Sequence, residues 1–238
     1  MQVYTYLERP DLVQRIGEID DVWPEFIHNA DVTVLHWAKL RDEYPELQVL
    51  LYDEERDQLA GRGQTMPAST HGGYPGGIDD MLERLFGDGP REERDVLSAA
   101  VAIVDPDRQG EGLSAHVIGG MRRVARENGF AALIAPVRPT WKERFPLIPM
   151  EEYMCWTRPD GSHYDPWLRL HTRLGAELVE VCEASMTVTG SREEWEEWTG
   201  LEFPGDGDYV VPGGLVPVRF EGGRGRYVEP NVWMRHPV

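Results

Sequence analysis

The segment VLSAAVAIVDPDRQGEGLSAHVIGGMRRVARENG, Val96 to Gly129, decides the fold. Its first nine residues, 96–104, are almost wholly apolar and end at Asp105-Pro106, the pattern of an interior strand. Leu113, Val117, Met121, Val124 and Ala125 then recur at helical spacing, and Gly129 is placed to stop the helix. Between strand and helix lies Arg108-Gln109-Gly110-Glu111-Gly112-Leu113-Ser114. Glycines there let the main chain approach a ligand closely. The N–H groups and dipole of the following helix start attract an anion.

The loop lacks the Gly-Lys-Ser/Thr ending of a nucleoside-triphosphate loop. Gly110-x-Gly112-x-x-Ala115 fits a dinucleotide fingerprint, but residues 105–109 separate it from the strand. The next strand, residues 131–135, also ends without an acidic residue to hold a ribose. The run instead resembles the pyrophosphate loop of the GNAT superfamily, the acyl-CoA-dependent N-acyltransferases. That loop reads Gln/Arg-x-x-Gly-x-Gly/Ala, and Gln109, Gly112 and Ser114 fall on its fixed positions. A second likeness is Leu170-His171-Thr172-Arg173-Leu174-Gly175-Ala176, similar to the family's Leu-Tyr-x-x-Leu-Gly-Phe. Here His171 stands where many members carry a tyrosine, and Ala176 replaces an aromatic residue.

The resemblance implies a mixed α/β fold of GNAT type. Its sheet is mostly antiparallel and twisted, with a splayed central strand pair and flanking helices. It implies acetyl-CoA or another acyl-CoA as co-substrate. Main-chain groups of Ala102, Ile103 and Val104 would meet the pantetheine arm. Arg108, Gln109, Gly110, Glu111, Gly112, Leu113 and Ser114 would hold the pyrophosphate. The implied activity is acetyl transfer to a primary amine of a small, cationic molecule, by direct attack in a ternary complex. Two alternatives stand beside it: a non-catalytic acyl-CoA sensor and a protein N-acetyltransferase. In the family the tyrosine protonates the departing thiolate, which makes His171 the candidate proton donor. Imidazole exchanges protons near neutrality and suits that work. Tyr164, just before the same helix, is a second candidate.

N-acyl transfer also needs a polarised carbonyl and a held oxyanion, which strand N–H groups supply without special side chains. A base acts directly or through water. The central strand has no carboxylate where some members of the family place a glutamate. Glu151 and Glu152 are the substitutes. They lie in a long proline- and aromatic-rich segment, residues 136–164. Its Trp141, Tyr153 and Trp156, with those glutamates, suit either a wall for a polar or cationic acceptor or an irregular excursion whose aromatics pack on the core.

The rest of the chain fits one domain over residues 1–238. Residues 11–26 and 32–44 read as amphipathic helices, with Val32, Leu35, Leu40 and Tyr44 of the second turned inward. Residues 47–52 and 58–65 read as a hairpin with a charged tip. Residues 68–95 form an insert that reads either as surface decoration or as a segment at the mouth of a cleft. Asp165-Pro166 starts a helix, and Ser191 with Glu194 makes a capping box. Residues 191–238 are an extension that contains a last strand and is placed to cover a sheet edge.

Forty-two acidic against 24 basic residues leave a net charge of −18, which repels nucleic acid and anionic membrane. A phosphate site on such a chain needs local positive charge, with Arg108, Arg122 and Arg123 nearby. Two cysteines, Cys155 and Cys182, make no disulfide framework, and no histidine pair has metal-ligand spacing, so no metal is expected. The N-terminal stretch has no apolar signal core, which points to a cytoplasmic protein. The sequence leaves a homodimer open.

Overall fold

The computed structural model describes residues 1–19, 22–89 and 93–238. Asp20 and Asp21, in the expected first helix, and residues 90–92, in the expected insert, lie outside the described residues.

The chain opens with β1 (Gln2–Thr5) and one short helical turn, α1 (Pro10–Val13), followed by 3-10 turns at Ile16–Glu18 and Glu25–Asn29. The expected single helix over residues 11–26 is therefore broken. Gly17 and Pro24 interrupt its period, and Asp11 is ion-paired to Arg9 rather than capping. Then come α2 (Thr33–Glu43), β2 (Val49–Asp53), β3 (Gln58–Ala68) and α3 (Ile78–Phe86). Leu40 of α2 is buried as expected, but Leu35 faces outward.

The deciding segment forms β4 (Val96–Val104) and α4 (Leu113–Glu127), followed by β5 (Ala132–Val137). Two short helices follow, α5 (Met150–Tyr153) and α6 (Pro166–Arg173). Asp165 caps α6, accepting from the amides of Trp167 at 2.9 Å and Leu168 at 3.2 Å. The chain ends in β6 (Glu177–Ser191), α7 (Arg192–Thr199), β7 (Gly207–Tyr209), β8 (Val218–Glu221) and β9 (Arg224–Pro237). The Ser191–Glu194 capping box of α7 is fully formed.

Among the described residues the strands make one sheet in the order β1-β2-β3-β4-β5-β9-β8-β7, with β6 on the other flank of β9. Neighbours are antiparallel except β4 and β5. The last strand does not cover an edge, as the sequence suggested. It runs through the middle, pairing with β5 over residues 232–237 and with β6 along most of its length.

α4 lies across one face, where Leu113, Val117, Met121 and Val124 pack on Val49, Leu51, Leu97 and Leu133. Each such side chain contributes roughly 1.5–3 kcal/mol on burial. The helix comes so close that a Cβ on Gly63 of β3 would meet the Met121 and Val49 side chains, which would have to shift. The opposite face holds a larger core, in which Phe26, Leu40, Met81 and Trp195 close over Tyr227 and Trp233 of β9.

Candidate active site at the split between two strands

β4 and β5 are paired only at Leu97–Leu133 and Ser98–Ile134. Beyond that point β4 stays with β3 and β5 stays with β9, so the two diverge. The divergence shows in burial. Residues 96–98 are buried, while residues 99–102 are half-buried. The edge of β4 that faced β5 now presents unpaired main-chain groups. Ala100 adds a bulge, since Gln64 opposes Val101 and Thr65 opposes Ala99. A bulge re-aims the local N–H and C=O groups.

A cavity of about 220 Å³ fills this split. Its walls include residues 99–103 of β4, residues 135–138, Trp167 and His171 of α6, and Glu229 and Asn231 of β9. Trp23, Trp37 and Ile78 close it from the helical side. Ile78 begins α3, so the insert does reach the cleft.

The glycine loop leads from the end of β4 to the start of α4. Gly110 and Gly112 have φ of 90° and 77°, a region costly for other residues. A side chain at either would meet nothing within 4 Å, so the loop's outer surface is open. Glu111 would oppose an anion, but Arg108 neutralises it at 2.7 Å while also holding Asp53 at 3.0 Å. These features fit a pyrophosphate bound by main-chain N–H groups. Arg108 itself is a correction to the sequence reading: it is buried beneath the loop as a strut. Arg122 and Arg123 are likewise engaged, with the carbonyls of Pro237 and Leu174 and with that of Val3.

His171 is buried in the cavity wall, its ring perpendicular to that of Trp167 at 4.7 Å between centroids. Its Nδ1 lies 2.8 Å from Nε2 of His236, on β9. Burial pushes His171 down to about 3, with the neighbouring His236 adding to the effect. His236 is pushed down to about 4 by burial and by the Arg122 guanidinium. Both rings are therefore neutral at physiological pH.

The other expected side chains are not brought to the cleft. Tyr164 packs with Trp141, Phe145, Tyr153 and Trp156, away from the cavity. Tyr153 is buried and donates to Asp165 at 2.9 Å. Burial and the Asp165 carboxylate push its phenol far up, so it does not serve as an acid. Glu151 and Glu152 are exposed. The long segment is thus a satellite core tied to the cap of α6, and the expected acceptor wall is absent from it. Its aromatics satisfy one another before any ligand arrives.

The cavity is lined instead by residues of other elements. Glu229, fully buried, accepts from Arg138 Nε at 3.0–3.1 Å and from the Tyr227 hydroxyl at 2.8 Å. Arg138 also donates to the carbonyl of Gly213 and lies 5.5 Å from the Trp23 ring centroid. The amide of Leu215 donates to the Tyr227 hydroxyl at 3.0 Å, and its carbonyl accepts from buried Lys142 at 2.7 Å. The C-terminal extension therefore builds the back of the cavity. One signal for it was present: Tyr227, Glu229 and Asn231 alternate along a strand and so share one face.

No family model matches the chain. A curated relative, the arginine N-acetyltransferase avaD of Aspergillus versicolor, is 30% identical over 271 aligned positions, covering 98% of this chain and 93% of the relative. The chain belongs to the GNAT superfamily. As a GNAT enzyme it uses acyl-CoA as co-substrate. The solved structure of the loading GNATL domain of CurA from Lyngbya majuscula agrees in fold, with TM-score 0.60 and 15% identity over 99% of this chain and 96% of that one. The GphF GNAT-like decarboxylase, solved with isobutyryl-CoA, gives TM-score 0.59 and 14% identity over 100% and 99%. The mixed sheet with its splayed strand pair is the GNAT fold expected from residues 96–129.

Proposed function

We propose that this GNAT enzyme transfers an acyl group, acetyl in the simplest case, from CoA to the primary amine of a small cationic molecule. The observation that carries the reading is the small cavity at the β4–β5 split, walled by β4 main chain, His171, three tryptophans and Glu229. At about 220 Å³ it suits a compact acceptor better than a protein segment. The relative named for arginine acetylation makes arginine the first acceptor to test.

In this reading the amides of residues 109–114 grip the pyrophosphate, and residues 102–104 of β4 meet the pantetheine arm. The N–H groups around the Ala100 bulge polarise the thioester carbonyl and hold the oxyanion. The amine attacks directly in a ternary complex. With no carboxylate on β4, water takes the amine's proton. His171 assists the departing thiolate. A net charge of −18 favours cationic acceptors over nucleic acid or anionic lipid. We place the enzyme in the cytoplasm, and light scattering decides between monomer and homodimer.

Calorimetry with acetyl-CoA, followed by a free-thiol assay over cationic amines beginning with arginine, tests the proposal. Binding with turnover of at least one amine is expected. Tight binding with no turnover across the panel would support an acyl-CoA sensor instead. A melting shift with NAD and none with CoA would reject both.

A further inference from the structure

Two buried imidazoles in hydrogen-bond contact make an unusual pair on a cavity wall. His171 Nδ1 and His236 Nε2 are 2.8 Å apart. Each neutral ring carries one N–H, so the pair holds two protons, and one of them must sit between the rings. The other sits at one of the two outer nitrogens, His171 Nε2 or His236 Nδ1. Neither of these has a protein partner, and both are shielded from solvent. An orphaned buried donor or acceptor costs about 1–3 kcal/mol, so one that faces a ligand cavity is a candidate for use. Of the two, His171 lines the cavity and His236 does not.

We propose that His236 is a positioning residue that holds His171 in the tautomer with Nδ1 bare and Nε2–H turned toward the cleft. The inference rests on the reading of His171 as the group facing the leaving thiolate.

The direction of the proton order comes from Arg122. Its guanidinium is fixed by the carbonyls of Pro237 at 2.9 Å and Leu174 at 3.1 Å, beside the strand end that carries His236. Its charge acts on His236, while the charge neighbour of His171 is His236 itself. A cation disfavours a proton on the nearer end of the pair. The outer proton therefore goes to His171 Nε2, and His236 donates through Nε2–H to His171 Nδ1. The Trp167 ring, perpendicular to that of His171, restricts its rotation.

The consequence is a neutral donor where the resembled family often carries a phenol. As the amine nitrogen bonds to the carbonyl carbon and the C–S bond breaks, the electron pair goes to sulfur. The Nε2–H bond steadies that thiolate, which then takes its proton from water. The amine's own proton leaves to water. Neutral imidazole is known to act as an electrophile of this kind when its charged form is suppressed.

Nitrogen-15 NMR of the histidine-labelled full chain reads the tautomer directly. An Nε2–H signature for His171 is expected, and an Nδ1–H signature overturns the proposal. Two variants test its use. His236→Gln keeps an N–H donor for Nδ1 and should hold kcat within about threefold. His236→Glu, kept ionised by Arg122, accepts from Nδ1–H and imposes the opposite tautomer. It should lower kcat about tenfold or more with KM for acyl-CoA unchanged. Equal rates for the two variants overturn the proposal, because a role in packing alone would not distinguish donor from acceptor. If either variant fails to fold, the NMR assignment still decides. Full turnover by His171→Ala would remove the catalytic reading alone and leave the tautomer result standing.

Discussion

The two sides of the cleft are built by different means. On one side, a strand, a glycine bend and a helix start follow one another over residues 96–129, and what they offer a ligand is main-chain amides. On the other side, α6, β9 and the residue after β5 send side chains, from Arg138 to His236, while the segment after α7 adds main-chain groups of Gly213 and Leu215. The first kind of site tolerates sequence change wherever backbone shape survives. The second depends on every partner being in place, since its charges are buried.

The sharpest way to break that contrast is to remove one buried charge. Glu229 has no exposure and Arg138 little, so Arg138→Leu leaves a carboxylate without its cation. A loss of about 3–5 kcal/mol in stability is expected by urea unfolding. A loss below 1 kcal/mol would put the acceptor wall on a par with a surface pair.

Asp79, at the start of α3 near the cavity's helical side, titrates the same contrast. Burial pushes its carboxyl up to about 6 from an ordinary value near 3.8. Between those values the folded chain binds more protons than the unfolded one. Its stability contribution is therefore complete below about pH 4 and lost as pH rises through about 6. Asp79→Asn should stabilise by up to ~2–3 kcal/mol at pH 7 and hardly at pH 4, read as Tm against pH.

His171→Ala should lower kcat by about a hundredfold with acetyl-CoA affinity unchanged in calorimetry, the signature of a group used in the chemical step. Gly112→Asp acts on the other side. Its positive φ and a new carboxylate beside phosphate should weaken acetyl-CoA about tenfold without unfolding the chain. The smallest effect belongs to Ser191→Ala, far from the cleft. Loss of the capping box should cost about 1 kcal/mol in unfolding and leave turnover as it was.

The same contrast explains what was legible beforehand. The strand, loop and helix of residues 96–129 announced themselves because their function is carried by local shape: glycines where φ is positive, apolar residues at helical spacing. His171 was legible through its place in a local motif. Arg138, Glu229 and His236 were not, because each owes its role to a partner far away in the chain. Trp141, Glu151, Glu152, Tyr153 and Trp156 misled for the converse reason. Their composition suits a ligand, but their aromatic rings find each other first. Leu35 shows the limit of periodicity, since a partner surface, not spacing alone, decides which apolar residue turns inward.

β9 occupies the centre of the sheet although it is threaded from residues 224–237. While the ribosome is still making that stretch, β5 and β6 wait with open flanks, and half of the catalytic wall does not yet exist. Nascent chains would thus carry a finished strand, glycine bend and helix long before the cleft beside them closed, with bare strand edges that invite association with neighbours or chaperones until β9 inserts.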